Sequence, residues 1–92
     1  MIEKTVTILN KRGLHARASA KFVNTAGQYD AEVNVFKDGT KVCATSIMGL
    51  MMLAAAPGDD IRLQATGPGA GAVIAALEQL VADKFGEDTL PE

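Results

Sequence analysis

The sequence predicts an α+β domain, an open-faced β-sandwich of order βαββαβα with a four-stranded antiparallel sheet and three helices on one face. Three observations carry this. Apolar residues alternate with a period of two in four short stretches and recur at helical spacing in three others. The two kinds of segment interleave within 92 residues, too few for a second core. The strand-like stretches keep their apolar residues mainly on one face, which suits a sheet covered by helices on one side and open to water on the other.

The elements follow in order. "IEKTVTIL" sets Ile2, Lys4, Val6 and Ile8 on one face and Glu3, Thr5 and Thr7 on the other, a strand with Lys4 as an edge exception. After His15 the period lengthens: Ser19, Phe22, Val23 and Ala26 fall at helical spacing, with Gly27 placed to end the helix. "AEVNVFK" alternates through Val33 and Val35, and Asp38-Gly39 then signals a hairpin into "KVCA". In "SIMGLMML", Ser46 is placed to cap a short helix. "PGDD" breaks the chain before "DIRLQAT", which alternates through Ile61, Leu63 and Ala65. Beyond "GPGAG" comes the clearest helix, with Val73, Ile74, Leu77, Leu80 and Val81 in one stripe and Glu78 and Asp83 outside it. Residues 1–86 are read as the domain and 87–92 ("EDTLPE") as a C-terminal tail.

Composition narrows the function. Nine basic residues against eleven acidic ones give a net charge of −2, which argues against general nucleic-acid binding. A local basic cluster, Lys11, Arg12 and Arg17, does flank the histidine. With no Trp and four aromatics (Phe22, Tyr29, Phe36, Phe85) there are few platforms for base stacking. The lone Cys43 has no internal disulfide partner, so a reducing, cytoplasmic setting is expected. "MIEKTVTIL" does not read as a signal peptide. The longest apolar stretch, Leu50 to Pro57, falls far short of the roughly 20 residues that span a bilayer, so no membrane insertion is expected. One His and one distant Cys cannot furnish a structural zinc site. Neither a metal nor a cofactor is expected.

The chemistry concentrates in "RGLHARAS", Arg12 to Ser19, which holds the only histidine. Gly13 permits a tight turn, and helical periodicity begins just after His15. The imidazole then stands at a helix N-terminus, where free N–H groups and the macrodipole favour an anion. Arg17 is close enough to add a charge-assisted hydrogen bond to phosphate or carboxylate. The same positive field favours a neutral, nucleophilic ring near neutral pH, and the small residues Ala16, Ala18 and Ser19 leave it open to a partner. Such a nucleophile beside an anion cradle suits transient phosphorylation on nitrogen. The plain alternative is a histidine that only caps the helix or meets solvent.

"GLHARAS" resembles the active-site signature of the HPr family, the histidine-containing phosphocarriers of the bacterial phosphoenolpyruvate-dependent phosphotransferase system. "TSIMGLMML" is similar to that family's regulatory-serine region, and the element order matches its fold over nearly the whole chain. The resemblance implies a phosphocarrier and not an independent enzyme. It implies that His15 accepts phosphate on Nδ1 from phosphorylated enzyme I and passes it to a IIA domain in sugar transport. Arg17 corresponds to the arginine that steadies the phosphoryl group, and Ser46 to the serine phosphorylated by an HPr kinase/phosphorylase in bacteria that have one. A monomer is implied. Two positions depart from the family: Ala18 replaces a proline that a first helical turn favours without requiring, and Thr45 stands where a lysine often precedes the serine.

The partner-binding face expected is Ala16, Arg17 and Ala20 together with Ile47, Met48, Met51 and Met52. If Leu50 and Leu53 face the core, the methionines of so short a helix cannot all be buried, and an exposed Met patch suits an adaptable docking surface. The alternative is that they fill gaps in the core. A phosphate on Ser46 would sit at a helix start and place charge at the rim of that surface. Two rival functions remain. One is a regulatory module of a nitrogen-related phosphorelay, whose phosphorylation controls target proteins. The other is a small-ligand or nucleotide-binding domain using Gly67 to Gly71, where "GPGAGA" loosely fits a dinucleotide fingerprint but lacks the second βαβ unit of such sites.

Overall fold

In a computed structural model, which describes residues 1–87, the expected architecture is present. Four strands, β1 (Ile2–Thr7), β2 (Glu32–Lys37), β3 (Thr40–Cys43) and β4 (Asp60–Thr66), alternate with three helices, α1 (Ala16–Ala26), α2 (Ile47–Met52) and α3 (Ala70–Ala82). A single 3₁₀ turn, Lys84–Gly86, follows α3. The sheet order is β1-β4-β2-β3 with every pair antiparallel. Two crossover units therefore interlock. The strands joined through α1 run parallel with β4 between them, and those joined through α2 run parallel with β2 between them. Among the described residues no helix is long and apolar enough to cross a membrane.

The register explains the alternation. Val6 faces Ile61, and Leu63 stands between Lys4 and Val35, so directly opposed residues share the helix-covered face. Ile61, Leu63, Ala65, Val33 and Val35 are buried there with Phe22, Leu50, Val73 and Leu77. Lys4 lies on that same face but at the outer strand, and its ammonium reaches past the core to Glu78 of α3 at 3.3 Å. The opposite face is polar. Gln64 bonds Glu3, and the Arg62 guanidinium lies 4.5 Å above the Phe36 ring. At the β2–β3 turn, Asp38 and Gly39 both take positive φ, 50° and 81°, the conformation a two-residue hairpin needs.

Ser46 caps α2, its Oγ accepting from the Gly49 N–H at 3.0 Å. Ser46→Ala should therefore cost about 1 kcal/mol of unfolding free energy, lowering Tm by roughly 4–8 °C, which calorimetry can measure. Cys43 is a sheet residue, as its place in "KVCA" suggests, but an exposed one and not part of the core. Hydrogen bonding from Thr45 holds its thiol below the ordinary range. A lowered pKa leaves more thiolate at a given pH. Iodoacetamide should therefore alkylate Cys43 at lower pH than an unperturbed thiol, and Thr45→Ala should move the rate–pH curve upward.

The turn at Gly67 to Gly71 is closed by backbone. Gly69 donates to the Asp30 carbonyl at 2.9 Å, and a Cβ on Gly67 would stand 3.2 Å from that oxygen. Among the described residues no parallel strand follows α3, so the turn lacks the setting of a dinucleotide site there.

Candidate functional site

Residues 10–15 form a tight loop between β1 and α1. Gly13 donates to the Asn10 carbonyl at 3.2 Å, and Leu14 donates to the Ala55 carbonyl at 3.0 Å, tying the loop to the segment that leaves α2. Only glycine fits position 13. Its φ is +63°, and a Cβ there would lie 2.1 Å from the Ala55 oxygen. The loop thus delivers His15 to the N-cap of α1 in extended conformation, φ −77° and ψ −177°. Ser19, fully buried, closes the first turn, its N–H bonding the His15 carbonyl at 2.9 Å and its hydroxyl the Leu14 carbonyl at 3.2 Å.

The imidazole is held at both nitrogens. Nδ1 accepts the Arg17 backbone N–H at 3.2 Å, so this nitrogen faces the start of the helix. Nε2 meets the Glu87 carboxylate through Oε2. Glu87 is itself anchored, Oε1 accepting from the Asn10 side-chain amide at 3.0 Å. The Asn10 amide also donates to the Gly13 carbonyl at 2.9 Å. These two acceptors fix which way the Asn10 amide points. Among the described residues the N–H groups of Ala16 and Ala18 have no acceptor, and the exposed Arg17 guanidinium has no partner. Of these, Ala16 and Arg17 are exposed to an incoming anion, whereas Ala18 is fully buried.

The predicted residues fall into two groups that the fold brings side by side. His15, Ala16 and Arg17 sit at the start of α1, Ala16 and Arg17 exposed and Ala20 one turn further on and half-buried. Helix α2 packs against α1 with Leu50 and Leu53 in the core, while Ile47, Met48, Met51 and Met52 stay exposed at 40, 75, 43 and 77%. The exposures decide against the gap-filling role for those methionines. Sequence reasoning missed Asn10 and Glu87. Asn10 gave no signal beyond being polar next to a strand. Glu87 was assigned to the tail, of which the remaining residues, 88–92, lie outside the described residues. The 3₁₀ turn explains its position: Lys84, Phe85 and Gly86 all take positive φ, 56°, 56° and 73°. That turn buries Phe85 and aims the next residue back at His15. Lys21 of α1 fastens it by donating to the Phe85 carbonyl.

Comparison with known proteins agrees with this fold. A family model described as the PTS HPr component phosphorylation site matches residues 2–83. The chain is 46% identical over 87 residues to the phosphocarrier protein HPr of Cupriavidus necator, covering 95% of this chain and 98% of that one. It is 42% identical over 86 residues to the phosphocarrier protein NPr of Shewanella violacea, covering 94% of each. Among solved structures, HPr from Thermoanaerobacter tengcongensis superposes with a TM-score of 0.91 at 45% identity, over 96% of this chain and 99% of that one.

Proposed function

This chain belongs to the HPr family of phosphocarrier proteins, and from that premise we propose that His15 accepts a phosphoryl group on Nδ1 from phosphorylated enzyme I and delivers it to a IIA domain in the cytoplasm. The observation that carries the reading is the ring's placement, with Nδ1 turned to the open N-terminus of α1 and to the Arg17 N–H. In the forward step the Nδ1 lone pair bonds phosphorus as the donor's bond to it breaks, the electron pair leaving with the donor. Nδ1 then no longer accepts from Arg17, and that N–H, with that of the exposed Ala16, turns to the phosphoryl oxygens. The Arg17 guanidinium supplies charge from solvent. Nothing here traps the group, so it stays reactive toward the next nucleophile. In this reading Ile47, Met48, Met51 and Met52, with Ala16, Arg17 and Ala20, form the face that both partners meet. A phosphate on Ser46 would place about two negative charges at its edge.

The test is a two-step transfer. With enzyme I, Mg²⁺ and radiolabelled phosphoenolpyruvate, the chain should acquire acid-labile, alkali-stable label. Addition of a IIA domain should discharge it. Absence of label, with the enzyme I active on another carrier, would count against the reading. The similarity to an NPr favours a second reading, a regulatory module of a nitrogen-related phosphorelay. Charging by the enzyme I of that relay in preference to the sugar-system enzyme would select it.

A further inference from the structure

Two contacts on opposite sides of the His15 ring assign the same tautomer. The Arg17 backbone N–H can only donate, so Nδ1 presents its lone pair. An ionised carboxylate can only accept, so Nε2, against Glu87, carries the proton. The pair is not an ordinary surface contact, since the two side chains are only 16 and 13% exposed. Glu87 does not move freely either. Its second oxygen is held by Asn10, a fully buried amide whose other acceptor is the loop carbonyl of Gly13. The Asn10 Oδ1 has no hydrogen-bond partner among the described residues. An unsatisfied buried acceptor is a cost the fold accepts only where the amide is needed for something else.

We propose that Glu87 is a positioning residue for His15: clamped by Asn10, it holds the proton on Nε2 and so keeps the Nδ1 lone pair as the nucleophile. The inference deepens the phosphocarrier reading and rests on it for its consequence. Imidazoles that must present one nitrogen are commonly oriented by a carboxylate on the other. The clamp has a second effect once the ring is charged. Bond formation at Nδ1 leaves the proton on Nε2, so the ring becomes cationic. The carboxylate then faces that developing charge from a shielded position. The sequence encodes this device in two distant pieces, Asn10 in the loop after β1 and "KFGE" after α3, brought together by the left-handed turn at Lys84 to Gly86.

The chain's single histidine makes the test direct. With ring-¹⁵N histidine, at a pH well above the ordinary imidazole range, the wild type should show a protonated Nε2 and a bare Nδ1. Its Nε2 proton should exchange slowly enough to be seen. Glu87→Ala should lose that proton signal and admit the other tautomer while its backbone amide spectrum stays folded. Phosphoryl uptake should then slow about tenfold, the lower end of what loss of an imidazole's outer partner costs. Glu87→Gln keeps one acceptor oxygen for two donors, the Asn10 amide and Nε2–H, so it should recover only part of the Nε2 proton signal and part of the rate. A structural role alone would not give that pattern. A Glu87→Ala ring spectrum indistinguishable from wild type, or uptake at the wild-type rate, would overturn the proposal. If the wild type takes up no label at His15, the phosphocarrier reading fails whatever the ring signals show.

Discussion

A chain carrying His15→Ala is expected to take up no phosphoryl group from enzyme I while remaining folded. The loss should be complete, because the sequence contains no second imidazole to stand in. The fold should survive because the side chain is a cap and not a core group. It contributes the Nδ1 acceptor at the start of α1 and one contact to Glu87. Removing a cap costs about 1 kcal/mol, and Ser19, Phe22 and Ala18 still bury the helix. Circular dichroism should thus match the wild type, with Tm lower by a few degrees, while label falls to background. Label persisting on the variant would place the acceptor elsewhere. Arg17→Ala should behave differently, taking up label slowly and losing it faster, because the guanidinium only steadies charge.

The second large effect is expected at Gly13. A methyl group there would stand 2.1 Å from the Ala55 carbonyl oxygen, on a backbone with φ +63°. Both terms act together, left-handed strain of about 1–3 kcal/mol and a backbone clash that no rotamer relieves. Gly13→Ala should lose roughly 3 kcal/mol of stability, or about 12–24 °C of Tm for a domain of this size. The Leu14–Ala55 bond at 3.0 Å must give way first, which shifts the N-cap and turns the ring from the helix start. Phosphoryl uptake should therefore fall even below the melting transition. Denaturant unfolding and transfer assays on the same preparation separate the two effects. A Gly13→Ala chain as stable as wild type would show that the loop can open away from Ala55 at little cost.

How much of this was legible in the sequence depends on whether a signal is local. The strands and helices were, because a period of two or 3.6 is written within each segment. The hairpin at Asp38-Gly39 and the cap at Ser46 were legible for the same reason, each being set by one or two residues. Lys4 shows what a local pattern leaves out: its alternation and its place at an edge were legible, but only the packing of α3 brings Glu78 within its reach. Gly13 was read as permitting a turn. That it also yields to the Ala55 carbonyl needed the packing of α2 against α1. His15, Arg17 and the α2 methionines were expected on one face, and the packing of α2 against α1 supplies the physical reason for it. Asn10 and Glu87 were out of reach. They lie 77 residues apart, and a helical or strand period says nothing about a three-residue left-handed turn that reverses the chain.

The central claim is that Nδ1 of His15 carries the phosphoryl group, and one spectrum tests it. The chain, labelled with ring-¹⁵N histidine and charged by enzyme I and phosphoenolpyruvate, should show a phosphorus-coupled nitrogen assigned to Nδ1, with the proton retained on Nε2. Phosphorus coupled to Nε2 would mean that Glu87 is displaced and the helix start is not the cradle. A phosphorylated chain with neither nitrogen coupled would remove His15 from the reaction.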